Sequence, residues 1–330
     1  MHVGPGGGAP APAPPPTMSV VICAYTVERW SQVCAAVSSV LQQDRPPEQV
    51  LLVIDHCAEL ERRSRETFAP DGVEVLANTG PAGLSGARNT GTSSAVGDVV
   101  AFLDDDAVAL PGWLQAHAAQ YSDPAVLGVG GRVTAHWVGR QPGWFPAEFG
   151  WVVGCSYVGQ PTVIAPVRNP IGANMSFRRH VIERAGGFSA GLGRVGSSGE
   201  GCEETELAIR AAQLFRGGRI MHVPAAEVRH HVAPTRGTWS YFWRRCWAEG
   251  RSKARMSGMV DRLDALASER VYVRQVLTRS IGRNLAQALG GADTFALSRA
   301  GAITAGVVIT SAGFAAGKVS GVRLAGAGGR

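Results

Sequence analysis

The 330-residue chain has no Cys-x-x-Cys pair, no tandem repeat and no basic, apolar leader, and each absence narrows its class. Its six cysteines (Cys23, Cys34, Cys57, Cys155, Cys202 and Cys246) are scattered. Neither a zinc cluster nor a disulfide framework is expected, and the thiols read as reduced and cytosolic. Residues 1–17 are mostly Gly, Pro and Ala, without the positive start or apolar segment of a signal peptide; a disordered lead ahead of a start at Met18 is expected. Long apolar runs are almost missing. Residues 300–317 form an uncharged stretch, but its Ala, Gly, Ser and Thr content suits packing or interfacial contact better than spanning a bilayer. Charge is also sparse, at 18% of residues, and the formal net charge of +6 is mild. The basic surplus falls mainly after residue 205, as suits a phosphate-bearing ligand, an anionic membrane face or a solvated helix surface; no nucleic-acid partner is expected.

What is present is an alternation. Apolar runs at Val20-Val21-Ile22-Cys23-Ala24, Val50-Leu51-Leu52-Val53-Ile54, Val73-Glu74-Val75-Leu76 and Val99-Val100-Ala101-Phe102-Leu103 read as strands, separated by stretches that read as helical. Parallel neighbours need a crossover, so the pattern predicts a doubly wound α/β sheet with ligands beyond the carboxyl ends of its strands. That rule gathers the Ala24-Tyr25-Thr26 turn, Asp55 and Asp104 to Asp106 around one crevice.

A strand is expected around 126–133, after which patterning fades over 136–168. This stretch carries Trp137, Trp144, Phe145, Phe149, Trp151 and Tyr157, suited either to stacking on sugar or lipid or to packing a long excursion onto the sheet. A helix near 179–185 leads to a glycine-rich loop over 189–201, of the kind that closes over ligands. It delivers Glu203-Glu204-Thr205-Glu206-Leu207 at a helix start, where the helix dipole favours acids in any case. Strands at 220–223 and 227–231 follow. Beyond 261 the chain reads as helical, Arg-studded and amphipathic.

The fourth strand ends in Asp104, Asp105 and Asp106. Alternation along a strand puts Asp104 and Asp106 on one side and Asp105 on the other. Adjacent anions repel unless a hard cation with a preference for carboxylate oxygen neutralises them. The same run also suits a solvated turn or a helix N-cap ahead of Pro111.

In their order and spacing, several segments of residues 18–255 resemble the family 2 glycosyltransferases of the GT-A fold. They are the opening strand and turn to Thr26, Val53-Ile54-Asp55, the run from Gly83 to Gly91, Leu103-Asp104-Asp105-Asp106, Gly172-Ala173-Asn174-Met175-Ser176-Phe177-Arg178-Arg179 and the Glu-Glu-x-Glu-Leu helix start. The resemblance implies a Rossmann-like, doubly wound mixed sheet flanked by helices, with a helical C-terminal extension. It implies inverting, metal-dependent, non-processive transfer of a single sugar from a UDP-, GDP- or dTDP-linked donor to a hydroxyl, on a cell-envelope or lipid-linked glycan.

Position by position, the resemblance implies that Ala24, Tyr25 and Asp55 frame the nucleotide base, with Glu28 in the same donor-binding group and Arg88 near the nucleotide. Asp104 would contact the ribose and Asp105 support the cluster, while Asp106 would bind Mg2+ or Mn2+, with His230 completing the metal shell. Glu204 stands where the family usually carries the Asp of a Glu-Asp pair, the general base; its extra methylene leaves Glu203 as a competitor, and a helix start favours the ionised form. Asn174, Trp151, Arg244 and Arg245 are candidates for acceptor or phosphate contacts.

Two departures bear on this. His56 replaces an acid often found after the base-contacting Asp, and Arg244-Arg245-Cys246-Trp247 only loosely resembles the Gln-x-x-Arg-Trp motif of processive synthases, whose four membrane-spanning helices are also missing. The rivals are a catalytically silent sugar-nucleotide-binding scaffold and a sugar nucleotidyltransferase. The turn after the first strand lacks the glycine-rich, basic loop that nucleotidyl transfer needs. The expected organisation is a lead over 1–17, a catalytic domain over 18–255 divided near 132/133 into donor and acceptor halves, and a helical extension over 256–330. The protein is expected in the cytoplasm, with peripheral contact at the inner face of the plasma membrane.

Overall fold

A computed structural model describes residues 15–194, 201–259, 267–291 and 293–327. Most of the expected N-terminal lead (1–14), the middle of the glycine-rich loop (195–200) and the start of the C-terminal extension (260–266) lie outside the described residues.

The first half alternates as the apolar runs require: β1 (Met18–Ala24), α1 (Trp30–Leu41), β2 (Gln49–Ile54), α2 (Ala58–Phe68), β3 (Glu74–Ala77), α3 (Leu84–Ser94) and β4 (Val99–Asp104). Successive residues of β1 face opposite cores. Val20, Ile22 and Ala24 pack with Val33, Val37 and Val40 of α1, while Val21 packs with Leu51, Val53, Val100 and Phe102 on the other face. A strand buried on both faces must be apolar throughout. Close packing of α3 depends on small residues: a Cβ on Gly91 would lie 2.5 Å from Val21 Cγ1, and one on Gly86 only 1.9 Å from the Pro81 carbonyl oxygen.

β4 is followed by a turn at Asp105 and Asp106 and by β5 (Ala107–Ala109), which leaves β1 and pairs antiparallel with a later strand. After α4 (Trp113–Gln120) come β6 (Val126–Trp137), a 3-10 segment at Ala147–Val153, β7 (Ala165–Val167), β8 (Asn174–Arg178), α5 (Arg179–Arg184), α6 (Glu203–Leu214) and β9 (Arg219–Val232). The nine strands make one mixed sheet, ordered β3-β2-β1-β4-β8-β6-β9-β5, with β7 paired to β9. Its β3-β2-β1-β4 run is parallel, and β8 reverses the direction. β6 runs through residue 132, so the boundary expected near 132/133 falls inside one strand of this sheet.

Two sequence readings change in detail. The strands expected at 220–223 and 227–231 are one strand, β9, whose register against β6 jumps from Gly131↔Val223 to Arg132↔Glu227. The bulge forms around Pro224, which has no N–H to give a ladder. The aromatic excursion packs inward: Phe145 and Phe149 are buried, and Trp144, Phe145 and Phe149 meet Phe242 of α7 (Trp239–Met256) with ring centroids 5.3–5.9 Å apart.

The extension contains α8 (Ala267–Tyr272), α9 (Thr278–Leu289) and α10 (Ala296–Ala327). Glu269 ties it to the sheet domain through Arg168 (2.7 Å) and Lys253 (2.6 Å). Helix α10 lies against α7 at glycines. Among the described residues, Ala296–Ser320 is the one helix long and apolar enough, by length and composition, to cross a membrane, with mean hydropathy 1.5.

Candidate active site

At the carboxyl end of the parallel strands is a cavity of about 210 Å³, lined by Ala24, Tyr25, Arg29, Asp55, Leu84, Asp104, Asp105, Asp106, Arg194, Arg236, Tyr241 and Arg245, among others. The crevice inferred from the sheet topology therefore exists. Asp55 is oriented by three groups: Gly83 N–H donates to Oδ2 (2.8 Å), Asn78 Nδ2 donates to Oδ1 (2.7 Å), and His56 Nδ1 lies 2.9 Å from Oδ1.

The switch from β4 to β5 shapes the acid cluster. His231 N–H donates to the Asp106 carbonyl (2.8 Å), which sets the end of β9 beside the turn and brings His230 Nε2 to 3.0 Å from Asp106 Oδ1. Arg236 Nη2 holds the other oxygen, Asp106 Oδ2, at 3.0 Å. Asp105 turns away to Arg29 Nη1 (2.9 Å), which also lies 3.4 Å from Asp106. Burial works against ionisation of Asp106, but His230, Arg236 and Arg29 hold its carboxyl well below the usual carboxylate range. Burial and the neighbouring Asp106 push Asp105 up to about 7. Burial disfavours the His230 cation, yet Asp106 raises that imidazole to about 10.

Asp104, Asp106 and His230 each offer one ligand atom, all within 4.8 Å of one another. Two carboxylate oxygens and an imidazole nitrogen at that spacing fit a divalent cation. The Nδ1 of His230 faces Cys155 Sγ at 3.8 Å, so the ring presents Nε2 to the acids.

Arg88 is not at the cavity wall. It is 2% exposed and bridges beneath the wall, donating to Glu203 Oε1 (2.7 Å), Asp104 Oδ1 (3.3 Å) and the Gly172 carbonyl (3.0 Å). Glu203 is thereby paired and buried, while Glu204, next on α6, is half-buried and free of any ion pair among the described residues. The sequence expectation of a readily ionised Glu204 is reversed: burial and the Glu203 charge raise its carboxyl to about 8.

Other candidates stand elsewhere. Asn174 is fully buried, accepting from Trp113 Nε1 and donating to the Arg132 and Ala226 carbonyls, and Trp151 packs on Phe149. Glu28 and Arg244 are exposed. Arg245 does line the cavity.

Residues 19–186 match the family described as Glycosyl transferase family 2. The chain belongs to that family. It is 35% identical over 238 residues to the glucosyl-dolichyl phosphate glucuronosyltransferase of Haloferax volcanii, covering 72% of this chain and 76% of that protein. Among solved structures it is similar to the mannosyltransferase PcManGT of Pyrobaculum calidifontis in complex with GDP-Man and Mn2+, with TM-score 0.61 over 92% of this chain and 89% of that one; at 18% identity the likeness is one of fold.

This glycosyltransferase also has cavity residues that sequence reasoning did not single out: Arg29, Arg194 and Tyr241. Arg236, also in the cavity wall, belongs to the basic surplus after residue 205. Arg29 follows closely on the Ala24-Tyr25-Thr26 turn and Arg194 lies in the glycine-rich loop, but nothing in either's local sequence distinguishes it from a surface arginine.

Proposed function

We propose that the enzyme moves one sugar, with inversion, from a nucleotide-diphosphate sugar to a hydroxyl of a lipid-linked or cell-envelope glycan. The observation that carries this reading is the meeting of Asp104, Asp106 and His230 beside a cavity that Asp55 and Tyr25 also line. Asp55, fixed by Gly83 and Asn78, orients the base, and Asp104 reaches the ribose. Asp104, Asp106 and His230 would hold Mg2+ or Mn2+, which when bound supplies neutralisation of the diphosphate charge.

Glu204 acts as general base. It takes the acceptor hydroxyl proton while that oxygen attacks the anomeric carbon and the bond to the diphosphate breaks. Glu203 is the weaker candidate because Arg88 already holds its charge. The scaffold alternative loses ground to the intact acids. The relative's activity makes a uronic-acid donor and a polyprenyl-phosphate-linked sugar the first substrates to try. A cytoplasmic enzyme in peripheral contact with the membrane fits such an acceptor, and the apolar helix α10, lying along α7, supports that contact.

The test is nucleotide release from a panel of UDP-, GDP- and dTDP-sugars, with Mg2+ or Mn2+ and a glycosyl polyprenyl phosphate. Transfer that Asp106→Ala and Glu204→Gln abolish is expected. Turnover unchanged in both variants overturns the mechanism.

A further inference from the structure

Arginines are numerous around the cavity, and all but one have an acidic partner. Arg29 pairs with Asp105, Arg236 with Asp106, Arg245 with Glu249, and Arg88 beneath them with Glu203 and Asp104. Arg194 forms no ion pair and no side-chain hydrogen bond among the described residues, although it is half-buried in the cavity wall. Burial opposes its charge, while Tyr241, Asp104, Asp106 and Glu203 favour it. It shares the cavity wall with Asp104, Asp106 and Tyr241, and the preceding Gly193 lies against Glu203 at the start of α6. A second donor points the same way: Arg236 Nη1 is buried without a partner, while its Nη2 is held by Asp106.

The buried, unpartnered Arg236 Nη1 costs free energy that an incoming anion relieves, and the Arg194 guanidinium, with no ion pair among the described residues, is free to meet the same anion. Phosphate and carboxylate oxygens both match its fork.

The backbone holds this arginine in place. Leu84 N–H donates to the Arg194 carbonyl (2.9 Å) and Ser85 Oγ to the Leu192 carbonyl (2.8 Å). Both donors open α3, directly after Gly83, whose N–H holds Asp55. Gly193 takes φ +95°, a conformation that residues with a side chain rarely adopt, and a Cβ there would lie 2.8 Å from Ser85 Oγ. The residue that orients the base and the arginine that awaits an anion are thus fixed to one helix N-terminus.

We propose that Arg194, supported by Arg236, binds an anionic group of the donor beyond the nucleotide's first phosphate. That group is the second phosphate or a carboxylate on the transferred sugar. This rests on the glycosyl-transfer reading above. With the second phosphate as ligand, Arg194 meets the electron pair left on the phosphate oxygen as the anomeric carbon–oxygen bond breaks, while the new bond forms to the acceptor oxygen and its proton passes to Glu204.

The test is calorimetric titration of the full chain, wild type and Arg194→Ala, with Mn2+ and UMP, UDP, UDP-glucose and UDP-glucuronate, repeated with GMP and GDP. For a phosphate ligand, R194A keeps the monophosphate affinity within about twofold and loses about tenfold or more for every diphosphate, the worth of one charge-assisted hydrogen bond. For a carboxylate ligand, only UDP-glucuronate suffers that loss. Unchanged affinity for all of them overturns the role of Arg194. A wild-type chain that binds no nucleotide overturns the glycosyl-transfer reading as well. If R194A fails to fold by its melting curve, Arg194→Lys, which keeps the charge but not the fork, carries the same comparison: a loss of the same pattern supports the proposal, and unchanged binding sinks it.

Discussion

Arg88 Nη1 lies 2.7 Å from Glu203 Oε1, an ion pair closed across 115 residues of chain with both side chains at most 5% exposed. It joins α3 to the first turn of α6, and through Asp104 it joins both to the acid cluster. Removing one partner strands a buried charge, so Arg88→Met is expected to cost about 3–5 kcal/mol. Glu203→Gln should cost less, because the glutamine Oε1 still accepts from the guanidinium. Chemical denaturation of the two variants checks the order.

Cation binding separates Asp106 and His230 from Asp105. Asp106→Asn and His230→Ala are expected to weaken Mn2+ binding by more than the roughly tenfold to hundredfold that loss of an outer-shell partner costs, whereas Asp105→Asn should stay within that range because its carboxylate is turned to Arg29. Mn2+ titration followed by electron paramagnetic resonance, with UDP present, reads this directly. Equal losses in all three variants contradict the assignment of Asp105.

Glu204 gives a pH signature in two observables. As a base it must be ionised, so kcat/KM should rise about tenfold per pH unit up to a bend near 8 and then level, and Glu204→Gln should lower kcat by about 10²–10⁴. Stability runs the other way. The folded carboxyl at about 8 lies above its ordinary 4.5, so the folded state binds the proton more tightly. The stability this contributes is fully present below pH 4.5 and is lost as pH rises through 8. Glu204→Gln should therefore gain stability relative to wild type as pH rises across that window. A flat difference in melting temperature between the two proteins from about pH 5 to 9 would count against a raised Glu204 carboxyl, half-buried and without an ion pair among the described residues.

The parallel half of the fold was legible because burial on both faces leaves uninterrupted apolar runs, as in β1 and β4, and the topology then placed Asp55 and Asp104 to Asp106 on one rim. Three features were not legible, each for a physical reason. Arg88 is buried beneath the cavity wall, which a motif does not reveal because it gives position along the chain and not depth; the close approach of Gly91 to Val21 and Val53 seats α3 on the sheet. Glu203 and Glu204 were equivalent until Arg88 paired with one of them. The aromatic stretch left ligand stacking and packing equally open, since indole and phenyl rings serve both; the arrival of Phe242 from a helix about a hundred residues later decided it for Phe145 and Phe149.

The contact between α7 and α10 makes a prediction with opposite signs at two glycines. A Cβ on Gly250 would lie 2.1 Å from the Thr310 carbonyl oxygen and 2.6 Å from Phe314 N, both backbone atoms that cannot swing aside. Gly250→Ala must therefore push the two helices apart, at a cost of about 1–3 kcal/mol for overpacking, which outweighs the better helix propensity of alanine. Gly301, in the same α10, has nothing within 4 Å of where its Cβ would stand. Gly301→Ala should stabilise by up to about 1 kcal/mol, through propensity and the less flexible unfolded chain. Thermal melting of the two variants tests the sign, and limited proteolysis tests the place: cleavage within α10 should speed up in Gly250→Ala and slow in Gly301→Ala. Equal melting temperatures would mean that α10 does not pack on α7 at Gly250, leaving the helix free for a different partner.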